Sequence, residues 1–292
     1  TRVLVEAGRA TGVTGERLDP HTRKPIGAVR VMARRAVIIA AGAIFTPLLL
    51  WRSGLRGRVG QGFQAHPGVA VVGRFARPVG MGHGATQAYE VPLRERGFKL
   101  ESLALPPELL AARLPGAGAS WQRGLAELDH YAQFCAVHRA EARGSVRVGV
   151  FGATAVHYEL THADVERVKQ SVALLTRIMF AAGATEVYPG VARLPERMHE
   201  PSDADAIMTP EIGRSDFHLL ASHHFATAAA GSDPERSVVS PRLETHAVRD
   251  LYVMDASALP SNLGVNPQHT IMALVQRAAE WLANARLTRR VA

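Results

Sequence analysis

The stretch Ala36-Val37-Ile38-Ile39-Ala40-Ala41-Gly42-Ala43 constrains the fold of this chain more than any other. Between Gly27 and Ile39, apolar residues first alternate (Val29, Val31, Ala33) and then run on without a polar break. That is the pattern of a strand entering a sheet covered on both faces. Small residues then turn the chain into a helix expected from about Thr46, with Pro47 at the first helical position, where a missing amide hydrogen costs nothing. Strand, small-residue turn and helix together let the backbone approach a ligand closely.

The rest of the chain predicts a mixed α/β (α+β) fold. Arg2 to Gly12 reads as a strand and turn, and the polar run Asp19 to Pro25 as a hairpin turn. Short strands are expected at Val69–Phe75, Arg147–Phe151 and Val156–Leu160, and helices over Pro107–Leu114 and Gly124–Cys135. A stronger helix signal follows. Thr161 is the N-cap with Asp164 three residues on, the apolar stripe is Val165, Val168, Val172, Leu175 and Met179, and Gly183 lies beyond its end. Asp250 to Asp255 reads as a buried strand ending on an acid. The last helix is expected to start with Asn266 as N-cap and Pro267 as its first residue.

Composition narrows the function classes. With 292 residues and 47% hydrophobic content, the chain is long enough for a sizeable core. One cysteine, Cys135, excludes an internal disulfide framework and a Cys-rich zinc site. The net charge of +8 is carried almost wholly by scattered arginines, with lysine only at Lys24, Lys99 and Lys169, so no basic stripe points to nucleic acid. No apolar run reaches transmembrane length, and no leader signal opens the chain; a cytoplasmic location is the expectation. His218, His223 and His224 lack further ligands at an organised spacing, so no metal site is expected. Ala228 stands where His-His-x-x-x-Asp acyl-transfer chemistry needs its acid.

Three segments carry chemistry together. They are Gly42-Ala43-Ile44-Phe45-Thr46-Pro47-Leu48-Leu49-Leu50-Trp51-Arg52-Ser53-Gly54-Leu55, then Val59-Gly60 through His66-Pro67, and a tail running from His223-His224 through Asp255-Ala256-Ser257 to Asn266-Pro267-Gln268-His269-Thr270-Ile271. In order and spacing they resemble the glucose–methanol–choline (GMC) oxidoreductases, FAD-dependent alcohol oxidases and dehydrogenases. The resemblance implies catalytic roles for His223, as the base that takes the alcohol proton, and for Asn266, which would orient the substrate oxygen. It implies cofactor contacts at Asp255, Ala256, Asn266, Pro267, Gln268 and His269. Helix-start amides behind Asn266 suit the negative charge that gathers on a reduced flavin. Adjacent strand residues face opposite ways, so one of His223 and His224 is expected to line the cavity. The family continues after its catalytic His with Gly-Thr-Cys-Arg-Met-Gly; here Ala226-Thr227-Ala228-Ala229-Ala230-Gly231 follows.

The resemblance also implies what is missing. No strand–Gly-x-Gly-x-x-Gly–helix unit for FAD occurs in these 292 residues. The expectation is therefore the C-terminal part of a longer enzyme, inactive alone: residues 1–67 as part of a Rossmann-like FAD-binding domain, 68–222 as a substrate-binding domain with an antiparallel sheet and helices, and 223–292 as a catalytic block returning to the FAD-binding domain. The implied substrate is a small-molecule alcohol, with a weak leaning to long-chain alcohols or sterols. The electron acceptor is open between oxygen, a quinone and a cytochrome. A non-catalytic remnant that keeps the fold without binding FAD is the alternative.

Overall fold

A computed structural model describes residues 2–288. The elements in chain order begin with β1 (Arg2–Glu6), β2 (Arg9–Leu18), β3 (Pro25–Met32), β4 (Val37–Ile39), α1 (Gly42–Arg52), β5 (Gln61–Ala65) and β6 (Gly68–Phe75). Then come β7 (Glu90–Leu93), β8 (Phe98–Ser102), α2 (Pro107–Ala111), α3 (Ala119–Ala126), β9 (Tyr131–His138), β10 (Gly144–Val148) and β11 (Thr154–His157). The last are α4 (His162–Ala181), β12 (Ala184–Tyr188), β13 (His224–Phe225), β14 (Leu251–Val253) and α5 (Gln268–Thr288). Contacts divide the chain into two units. One gathers Thr1–Ala65, Ala142–Glu159 and His223–Ala292; the other gathers His66–Glu141 and Leu160–Ser222.

In the first unit, β1, β2 and β3 form an antiparallel sheet, and β4 pairs in parallel with β14, Val37 opposite Leu251 and Ile39 opposite Val253. All of β14 is buried, but β4 alternates: Val37 and Ile39 are buried while Ile38 is 52% exposed, so among the described residues this strand is covered on one face and not on both as the sequence pattern predicts. A third sheet runs β11-β10-β5-β13. The main core of this unit brings Val3, Ile39, Leu50, Leu243, Leu251 and Val253 together.

Helix α1 begins at Gly42, so Pro47 lies inside it and not at its first position as the sequence pattern predicts. A proline there removes the amide that would reach back to the carbonyl of Ala43. The Thr227 hydroxyl fills the gap, donating to Ala43 O at 2.7 Å. The helix is tolerated because a side chain almost two hundred residues away replaces the lost donor.

In the second unit, an antiparallel sheet of order β12-β6-β9-β8-β7 is covered on one face by α4. The predicted capping box is present: Thr161 Oγ1 accepts from the Asp164 amide and Asp164 Oδ2 accepts from the Thr161 amide, each at 3.1 Å. Val165, Val168, Val172, Leu175 and Met179 are buried against Val69, Val71, Leu100 and Ala136. Burying that stripe stabilises the unit by about 10 kcal/mol before entropy is counted. The helix expected over Gly124–Cys135 is corrected: α3 ends at Ala126, and Tyr131–His138 is the central strand β9. Its apolar residues lack alternation because both faces are covered. Ala136 meets the α4 core, while Tyr131 packs with Val72, Leu114 and Tyr188.

Candidate functional site

The residues singled out from the sequence fall on the first unit around β5, β13, β14 and the start of α5. In the β5–β13 ladder His224 lies opposite Ala65 and Phe225 opposite Gln64. Strand alternation separates the two faces. On one, Phe63 and Ala65 pack with Leu48 and Val146, and the His224 ring sits 5.5 Å from that of Phe63. On the other, Phe225 is fully buried against Leu259, Leu263, Ile271 and Leu274, and Gln64 Oε1 accepts from the Asn262 amide at 3.0 Å. His223 precedes the strand by one position and shares the alternation of Phe225. Both histidines are partly buried.

Helix α5 starts one residue later than the sequence pattern predicts. The Ile271 amide donates to the Pro267 carbonyl at 2.9 Å, which makes Pro267 the cap residue and Gln268 the first helical residue. Pro267 is buried, while Asn266, Gln268 and His269 are exposed around it. Helix geometry leaves the amides of the first turn without intrahelical partners, and the helix dipole adds positive potential there.

Asp255 follows β14 and is buried, and its carboxylate is engaged throughout. Oδ2 accepts from the Gly42 amide at 2.9 Å and the Thr46 hydroxyl at 2.6 Å; Oδ1 accepts from the Ser257 amide at 2.8 Å and the Ser257 hydroxyl at 2.5 Å. The acid thus caps the start of α1 and locks the turn at Ala256, which is half-buried. Such charge-assisted bonds are strong and fix the orientation of the carboxylate.

Thr227 has a structural role that the sequence reading does not assign to it. Its hydroxyl completes α1, and its carbonyl accepts from the Gly60 amide at 2.7 Å, so one residue ties α1, β5 and β13 together. Gly60 has to be glycine there: its φ is +78°, and a Cβ would come within 2.1 Å of Val146 O. Pro47, four residues after Ala43, was the available signal, since it marks a carbonyl in need of a donor. Ala226, which stands where the resembled pattern has glycine, holds φ at +70°. Left-handed backbone costs an alanine about 1–2 kcal/mol, and burial of its methyl beside Phe225 offsets roughly 0.8 kcal/mol of that.

Comparison with known proteins matches two family models described as GMC oxidoreductase, the N-terminal one over residues 1–68 and the C-terminal one over residues 140–274. An uncharacterised GMC-type oxidoreductase of Mycobacterium tuberculosis is 34% identical over 283 residues, 96% of this chain and 43% of that protein. A long-chain-alcohol oxidase of Arabidopsis thaliana is 29% identical over 288 residues, 90% of this chain and 36% of that protein. Among solved structures, a formate oxidase variant of Aspergillus oryzae studied for FAD modification superposes with a TM-score of 0.74 at 16% identity, over 97% of this chain and 59% of that one. The chain thus spans about half or less of the length of the curated relatives that it matches.

Proposed function

The chain belongs to the GMC oxidoreductase family, and from that premise we propose that it is the catalytic portion of an FAD-dependent oxidoreductase acting on the CH–OH group of an alcohol. When bound, FAD would supply the two-electron acceptor for the hydride leaving the alcohol carbon. His223 takes the hydroxyl proton, work that an imidazole performs as a general base. Asn266 donates from its side-chain amide to the substrate oxygen and orients the C–H bond that breaks. The first-turn amides of α5 at Gln268 and His269, backed by Pro267, stabilise negative charge that gathers beside them. Asp255 contributes through shape, holding Ala256 and the start of α1 so that their backbones can lie against the cofactor.

The observation that carries this reading is the division of the two faces of β13. Phe225 packs on Ile271 and Leu274 of α5 while the His224 ring lies near that of Phe63, and this supports assigning the catalytic role to His223 rather than to His224. The buried acid beside the proposed cofactor contacts is held in place by four hydrogen-bond donors, which supports a positioning role for it.

We assign the first contact unit to the cofactor side and the second to the substrate side. A long-chain aliphatic alcohol is the preferred substrate, supported by similarity to the plant long-chain-alcohol oxidase over most of this chain. No described helix is long and apolar enough to cross a membrane. The test is anaerobic mixing of the FAD-loaded, full-length protein with a panel of alcohols of increasing chain length. The account expects bleaching of the flavin absorbance that strengthens with chain length; no bleaching by any alcohol contradicts it.

A further inference from the structure

The second unit contains a cavity of about 520 Å³ lined by none of the residues given a catalytic or cofactor role above. It lies between Arg113–Pro115, the turn after β12 and the segment Ser215–His218. Leu114, Pro115, Tyr188, Val191, Leu194 and Phe217 give its wall an apolar part, and Arg113, Glu196, Ser215, Asp216 and His218 a polar one. The volume is that of a pocket for a small organic molecule.

One lining residue is poorly served by the protein around it. The Arg113 guanidinium has five N–H donors; Nη2 donates to Ala70 O at 2.6 Å, and Nε is buried with no partner. Among the described residues no carboxylate pairs with it. Burial therefore acts uncompensated and pushes the guanidinium below its ordinary value. Gly190, at φ +67°, lets the turn after β12 close over this group, since a Cβ there would come 3.2 Å from Nη2. The acid that could have answered the charge is occupied elsewhere: Asp216 Oδ1 accepts from Arg193 Nε at 3.0 Å and Oδ2 from the Gly213 amide at 2.8 Å. Glu196 also lines the cavity but is exposed, where water screens it.

An arginine left without a carboxylate beside an apolar wall is the chemistry that recognises an apolar anion. We propose that this cavity binds a small organic carboxylate, with its apolar body against Leu194 and Phe217 and its anionic group on Arg113.

The test follows 4-fluorobenzoate and the neutral 4-fluorobenzamide by ¹⁹F NMR during titration with the protein. The expected result is saturable binding of the benzoate, about tenfold or more tighter than that of the amide, as a charge-assisted pair supplies. Arg113→Met removes the preference, and Glu196→Gln leaves it intact or strengthens it. Leu194→Trp, on the partly exposed wall, fills the cavity and abolishes binding of both probes, which keeps the test decisive should Arg113→Met fail to fold. Equal affinity for the two probes, a preference that survives Arg113→Met, or benzoate binding that survives Leu194→Trp overturns the proposal.

Discussion

His138 carries the clearest single-residue consequence for stability. It is fully buried, with Nδ1 donating to Pro67 O at 2.9 Å and Nε2 2.8 Å from Ser171 Oγ. Burial pushes the imidazole down to about 4 from an ordinary 6.5. Between those values the unfolded chain binds the proton that the folded chain refuses. Stability is therefore complete above pH 6.5 and falls as the pH drops towards 4, by roughly 3 kcal/mol in all. Carboxyls held low by their partners, such as Glu90 beside Lys99 and Asp203 under the His199 amide, act only at more acid pH. Urea midpoints between pH 7 and 4.5 should fall for the wild type and stay nearly flat for His138→Gln. Parallel slopes for the two would refute the assignment. That histidine, like Asp255 and Thr227, was invisible to pattern reading as a structural group. Its role depends on partners far away in sequence, whereas the Asp255-Ala256-Ser257 motif could be recognised by its resemblance to the family pattern.

At the level of elements, α1 makes the sharpest prediction. If the Thr227 hydroxyl stands in for the amide missing at Pro47, Thr227→Val costs about 1–3 kcal/mol by orphaning the buried Ala43 carbonyl. In a Pro47→Ala background the restored helical amide takes over, and the same substitution costs clearly less. A double-mutant cycle measured by urea denaturation reads this coupling directly; additive effects would show that the two donors are unrelated. The element also shows where sequence reading stops. The α4 helix was legible because its cap and stripe lie within twenty residues of one another. The start of α1 was not, because Asp255 supplies the cap for the Gly42 amide from the other end of the chain. The strand β9 was misread as helix because burial on both faces erases the alternation that marks a strand.

For the whole molecule, the two-stranded parallel sheet leads into the proposed cofactor contacts. The sheet places Asp255 beside α1, yet these residues contain no strand–Gly-x-Gly-x-x-Gly–helix unit for the pyrophosphate. The isolated 292-residue chain should accordingly hold FAD with a Kd weaker than about 1 μM; a stoichiometric, sub-micromolar complex in a fluorescence titration would contradict that. The central claim is that His223, and not its neighbour, is the base that accepts the alcohol proton. Anaerobic stopped-flow of the full-length enzyme with a long-chain alcohol tests it most directly. The account predicts that His223→Gln slows flavin bleaching by about 10²-fold or more, while His224→Gln slows it less than about tenfold with a normal flavin spectrum retained. Equal losses, or a greater loss at His224, would contradict it.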